Sequence, residues 1–135
     1  MLTASEKSQK LAEGYQHFWS TDPAQRSEWE ALVGQLLADD VRLIDEEGNR
    51  LADNKDDALR ELATLKGNTN MDPGSVQIGT TSDGRTSFGS DREQMTDEDH
   101  RRSGWHTCFD KFEWSDSDDD SKIVAIYVCL ADTIR

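Results

Sequence analysis

Apolar residues recur at helical spacing in the first half of the chain and alternate with polar ones in the second. Leu11, Tyr15, Phe18 and Trp19 stand at i, i+4, i+7 and i+8, one face of a helix. Ahead of them Thr3-Ala-Ser-Glu6 has capping-box spacing, a hydroxyl and a carboxylate that can satisfy two orphan amide donors between them. Asp22-Pro23 breaks this helix. A second capping box, Ser27-Glu-Trp-Glu30, opens another, with Trp29, Leu32, Val33, Leu36 and Leu37 inward, and its pattern stops at Ala38-Asp39-Asp40. Residues 41–45, Val-Arg-Leu-Ile-Asp, alternate and predict a short strand before a Glu46-Glu47-Gly48-Asn49 turn. Asp53 or Asn54 can cap a third helix over 55–66, whose Leu59, Leu62 and Leu65 form a stripe and whose Gly67 is a natural stop.

Beyond Gly67 the pattern is that of a sheet. Asn68-Thr-Asn-Met-Asp-Pro-Gly74 is turn-rich, and residues 75–81 and 85–90 flank Ser82-Asp83-Gly84, a hairpin signal. Residues 91–102 are almost wholly polar, either a loop or a solvated extension of the flanking strands, and a possible cover for a site. Residues 105–114 and 123–131 predict the two strongest strands. The acidic run 116–120 between them lacks the mid-loop Gly and closing Glu of a calcium-binding EF-hand and reads as a solvated turn. Three helices followed by a mostly antiparallel sheet predict an α+β fold, one domain over 1–135.

Charge adds exclusions. The 135 residues carry 28 acidic and 15 basic side chains, a net charge of -13. Such a surface argues against nucleic acid, whose phosphates require Lys and Arg, and against anionic membranes. No run reaches the length of a membrane span, and the N-terminus lacks the apolar core of a signal peptide, so a cytoplasmic protein is expected. Two cysteines are too few for a disulfide framework or a zinc site. No phosphate loop, dinucleotide fingerprint, nucleophile elbow or metal-ligand spacing is present, which leaves acid–base chemistry without a cofactor.

Alternation assigns the side chains to faces. On 105–114 one face carries His106, Cys108, Asp110, Phe112 and Trp114, and the other Trp105, Thr107, Phe109, Lys111 and Glu113. The face with aromatics and no lysine is the expected inner one, and the apolar outer face suits a homodimer interface. On the last strand Val124, Ile126, Val128 and Leu130 are expected inside, with Tyr127 and Cys129 outside, so Cys108 and Cys129 would not form a disulfide. Tyr15, Asp45, His106 and Asp110 are then polar groups on apolar faces. A carboxyl so placed is poorly solvated, which raises its pKa towards neutral and suits it to carry protons. Each has a plainer reading: Asp45 as a solvated strand end, Asp110 as an ion pair with Arg85, Arg101 or Arg102, Tyr15 as a packing residue, and His106 as a satisfied strand histidine.

The stretch Ala31-Leu-Val-Gly-Gln-Leu-Leu-Ala-Asp-Asp-Val-Arg-Leu-Ile-Asp45, a Gly turn and a helix resemble the opening of the NTF2-like superfamily. Phe109-Asp-Lys-Phe-Glu-Trp114, a polar turn and Lys122-Ile-Val-Ala-Ile-Tyr127 are similar to its last two strands. The resemblance implies a curved sheet wrapped into a cone, closed by helices around an apolar pocket. It also implies, by likeness to ketosteroid isomerase, Asp45 as general base, Tyr15 as oxyanion donor and Asp110 as its acidic partner. Glu46 stands where that family commonly has Pro, and the Tyr15–Asp45 linker is longer, so the SnoaL-like polyketide cyclases and fungal secondary-metabolite isomerases resemble the chain better.

The reading with most support is a cofactor-independent enzyme that isomerises, cyclises or dehydrates a small apolar, polyketide- or terpenoid-type metabolite. Asp45 would move a proton, with Tyr15, Asp110 or His106 as partners. Phe18, Trp19, Trp29, Phe112 and Trp114 would shape the pocket, and Leu43, Cys108, Ile126 and Val128 would complete its wall. Asp45→Asn would then abolish turnover and spare the fold. Two alternatives stand beside it. One is an epoxide hydrolase with Asp45 and Asp110 around Arg85, Arg101 or Arg102. The other is a non-catalytic binding or dimerisation module. A deep apolar cavity lined by both Asp45 and Asp110 would favour an enzyme, and a plugged one the module.

Overall fold

A computed structural model describes residues 2–19, 23–67, 69–95, 104–115 and 121–128. The chain begins with α1 (Ala4–Trp19). Its capping box closes in both directions, with Glu6 N–H donating to Thr3 Oγ1 and Thr3 N–H to Glu6 Oε1, both at 3.1 Å. The second helix, α2 (Pro23–Leu36), starts four residues before the predicted Ser27. Pro23 both interrupts α1 and opens α2, since its fixed φ and missing N–H suit a first helical position; the Ser27 side chain lies outside the described residues.

No linker separates α2 from the first strand, β1 (Leu37–Ile44), which begins earlier than expected. Leu37 pairs with Ile123 and Arg42 with Ala125, so the intervening stretch is irregular, and its Asp39 and Asp40 are exposed. The turn after β1 is as expected, with Gly48 at φ 85°. It returns into a short β2 (Arg50–Ala52), which three residues of no clear alternation did not signal. Asn54 caps α3 (Lys55–Gly67) by accepting from Asp57 N–H at 2.9 Å. The Leu65 side chain lies outside the described residues.

The turn-rich stretch after α3 holds β3 (Thr69–Met71) and a 3-10 turn, Pro73–Ser75. β4 (Gln77–Thr80) and β5 (Thr86–Met95) form the predicted hairpin, with Gly84 at φ 72°. β5 runs five residues into the polar 91–102 stretch, which is therefore strand up to Met95. Its remainder, including His100, Arg101 and Arg102, lies outside the described residues, as do the 116–120 run, Cys129 and Leu130. β6 (His106–Trp114) and β7 (Ile123–Tyr127) complete a seven-stranded sheet in the order β2-β1-β7-β6-β5-β3, with β4 also on β5. Among the described residues only β1 and β7 pair in parallel.

The β6 alternation holds: His106, Cys108, Phe112 and Trp114 are buried, whereas Trp105 and Phe109 are 40 % and 36 % exposed. On β7 the expected inner set needs correction. Trp114 pairs with Ile123 and Glu113 with Ala125, so Val124 is the extra residue of a bulge. The bulge advances the register and turns Ile123, Ile126 and Val128 towards the helices.

α1 is tied to the sheet by polar groups at its outer end. Lys7, only 6 % exposed, donates to the Gly84 carbonyl at 2.6 Å and lies 5.0 Å from the centroid of the Trp114 ring. Trp114 Nε1 donates to Ser87 Oγ at 2.9 Å, and the hydroxyls of Ser87, Thr80 and Ser8 continue the chain at 2.7 and 2.6 Å. Among the described residues no helix is long and apolar enough to cross a membrane.

Candidate active site

The three helices and the inner sheet face enclose a cavity with an empty volume of about 730 Å³, its open mouth included. Apolar side chains make most of the wall: Leu11 and Phe18 from α1, Trp29, Val33 and Leu36 from α2, Leu62 from α3, and Phe112, Ile126 and Val128 from the sheet. Phe18 and Trp29 meet edge to face at 5.0 Å between centroids, and Tyr15 and Phe112 at 6.3 Å. Among the described residues the charged side chains on this wall are Glu93 and Asp110.

Tyr15 and Asp110 meet there. The Tyr15 hydroxyl donates to Asp110 Oδ2 at 2.5 Å, joining α1 to β6 across 95 residues of sequence. Burial pushes the Tyr15 hydroxyl well above its ordinary pKa, and the Asp110 charge pushes in the same direction, so Tyr15 stays a donor.

The close approach depends on Gly89, the β5 residue paired with Asp110. A Cβ at Gly89 would stand 2.6 Å from Tyr15 Oη and 3.1 Å from Ile78 Cδ1. Gly89→Ala is therefore expected to displace the hydroxyl and to cost about 1–3 kcal/mol by overpacking. Tyr15→Phe, which removes the nearest clashing atom, should cost less in the Gly89→Ala background than in the wild type. Urea unfolding of the four proteins measures this, and additive losses would show that Gly89 does not serve the tyrosine.

Of the predicted site residues, the structure gathers Tyr15, Phe18, Trp29, Asp110, Phe112, Ile126 and Val128 around the cavity. Leu43, Cys108 and Trp114 are buried but do not line the cavity, and the Trp19 side chain lies outside the described residues. His106 is on the inner face, its Nδ1 3.3 Å from the Gly104 carbonyl oxygen, but it does not line the cavity.

Asp45 is the main correction. It follows the last residue of β1 and turns into its own loop, where Oδ1 accepts from Asn49 N–H at 2.8 Å and Glu47 N–H at 2.9 Å. The Asn49 amide, joined by that of Glu47, holds its carboxyl below the usual value, the reverse of the expected rise. Asp45 is a turn cap outside the cavity, because its own chain reverses there and offers it several N–H donors.

Two carboxyls were not anticipated. Asp91 and Glu93 continue the inward alternation of Ser87 and Gly89 on β5. The alternation was a signal, but Arg92 and Gln94 make the other face polar too, so nothing in the composition marked one side as buried. Among the described residues no group of three or more His, Cys, Asp or Glu is placed to hold a metal ion, and no arginine lines the cavity. Arg85 is exposed at the hairpin turn.

An α+β fold with three helices closed over the inner face of a mostly antiparallel sheet, around an apolar cavity, is the NTF2-like fold. Solved structures share it. A candidate polyketide cyclase from Pseudomonas putida superposes with a TM-score of 0.65 over 95 % of this chain and 91 % of that one, at 16 % identity. Bal32a, from a soil-derived mobile gene cassette, does so with a TM-score of 0.68 over 93 % and 88 %, at 12 % identity. An LEH-like epoxide hydrolase of Mycobacterium tuberculosis gives 0.54 over 90 % and 83 %, at 15 % identity. No protein-family model matches the chain, and no curated protein matches it in sequence.

Proposed function

We propose that the protein is a cofactor-independent acid–base enzyme that isomerises, cyclises or dehydrates a small, largely apolar carbonyl metabolite, of the polyketide or terpenoid type. The observation that carries this reading is the Tyr15–Asp110 hydrogen bond on the wall of an otherwise apolar cavity. A carboxylate there is poorly hydrated and poised as a base, and the tyrosine orients it. Asp110 would take a proton from the carbon beside the carbonyl and return it at another carbon. The likeness of the fold to a candidate polyketide cyclase adds support. Epoxide opening has the fold of the LEH-like hydrolase on its side; the Asp-Arg-Asp arrangement it would use needs an arginine on the wall, where the described residues place none and Arg101 and Arg102 lie outside them.

The test is hydrogen–deuterium exchange at carbon beside the carbonyl of apolar cyclic ketones, followed by NMR in heavy water. Exchange above the buffer rate supports the proposal, and its absence across a panel of ketones counts against it. The exposed outer face, with Phe88 49 % and Trp105 40 % exposed, is proposed to pair with a second copy. Sedimentation equilibrium should then give twice the 15.2 kDa chain mass; a single-chain mass at micromolar concentration removes this part.

A further inference from the structure

Two buried carboxyls on β5 have no part in the Tyr15–Asp110 pair. Asp91 and Glu93 are 1 % and 4 % exposed, and their i, i+2 spacing puts both on the inner face. Neither oxygen of Asp91 meets an amide, hydroxyl or cationic donor among the described residues. The group that reaches it is the Glu93 carboxyl. Two ionised carboxylates only accept and repel each other; a hydrogen bond forms between them when one carries a proton.

The surroundings leave room for that proton. On β6, His106 pairs with Glu93, Cys108 with Asp91, and Asp110 follows at the next inward position. Tyr15 on α1 feels the charge of both carboxyls. Met71, opposite Glu93 on β3, is uncharged. Among the described residues of this sheet face, His106 is the one basic side chain beside the three acids. Burial pushes the Asp91 carboxyl up from its ordinary value, with the Glu93 hydrogen bond and His106 pulling the other way.

We infer that Asp91 and Glu93 hold one proton between them in the neutral range, and that Glu93, which lines the cavity, presents it to a substrate oxygen while Asp91 positions it. The donor role rests on the proposed acid–base function; the shared proton does not. The steps balance. As Asp110 takes a proton from carbon, Glu93 gives one to the carbonyl oxygen, forming an enol. The enol then returns its hydroxyl proton to Glu93 as Asp110 protonates a second carbon. No oxidant or cofactor enters.

The experiment is carboxyl carbon-13 NMR of the full chain against pH, for the wild type, Asp91→Asn and Glu93→Gln, alongside ketone exchange. In the wild type the two carboxyl signals should move together in a step above ordinary carboxyls that is still incomplete at neutral pH. In Asp91→Asn the amide can donate to Glu93, so the Glu93 signal should leave the neutral range and the pH profile of exchange should move with it. Wild-type signals that titrate separately at ordinary values overturn the inference whether or not the variants fold. So does an unchanged Glu93 signal in folded Asp91→Asn. Unaltered exchange by Glu93→Gln overturns the donor role. A joint step in a wild type that exchanges no ketone upholds the shared proton and refutes the proposed function.

Discussion

Asp110→Asn is expected to lower ketone exchange by about 10²–10⁴-fold, the usual contribution of a positioned proton-transfer group. Asparagine keeps the shape of the side chain and can still accept from the Tyr15 hydroxyl, so the fold should survive. It cannot take up a proton, so the loss should fall on the rate and leave ketone binding nearly unchanged. Asp45→Asn is the control. Its carboxyl caps a turn outside the cavity, so exchange should stay within a few-fold of wild type. Its effect belongs to stability: a carboxyl held low in the fold stabilises above its unfolded pKa, and the benefit fades as pH falls through the folded value. Equal losses in the two variants would return the base to Asp45, and a fully active Asp110→Asn would remove Asp110 from the chemistry.

Trp114→Ala is expected to destabilise the protein by about 3–5 kcal/mol, the range for deleting a large aromatic from a core. Trp114 is 4 % exposed, donates to the fully buried Ser87 hydroxyl and underlies the Lys7 ammonium. Truncation would leave a void, remove the donor to Ser87 and take the ring from beneath a lysine that is itself buried. Trp114→Phe keeps much of the packing and should lose about 1–2 kcal/mol through the indole hydrogen bond and some volume. Urea unfolding separates the two. A loss below about 1 kcal/mol for the alanine variant would mean that the sheet end closes over the gap and that Trp114 does not hold α1 to the hairpin.

Much of the fold was legible along the chain because the relevant forces are local. Thr3 and Glu6 cap α1 in both directions, Asn54 caps α3, and Gly84 turns the β4–β5 hairpin, each within a few residues. The inward face of β6 followed from period-two alternation, and with it Asp110. Tyr15 followed from a helical stripe. Less was legible where elements meet without a linker, as at Leu36–Leu37, or where a partner strand imposes the register, as with the Val124 bulge and the three-residue β2.

The candidate site divides in the same way. The sequence by itself determined that the chain forms helices followed by a sheet, that aromatic and aliphatic faces line its interior, and that Tyr15 and Asp110 lie on those faces. Only the tertiary structure decided which carboxyls reach the cavity. Asp45 sits on the same strand pattern as Val41 and Leu43, yet its own turn supplies amide donors and captures it. Asp91 and Glu93 lie in a stretch with no apolar marker, yet pairing of β5 with β6 carries them inside. Periodicity reports the direction in which a side chain points. Whether a carboxyl there meets amide donors, solvent or another buried acid depends on neighbours distant in sequence.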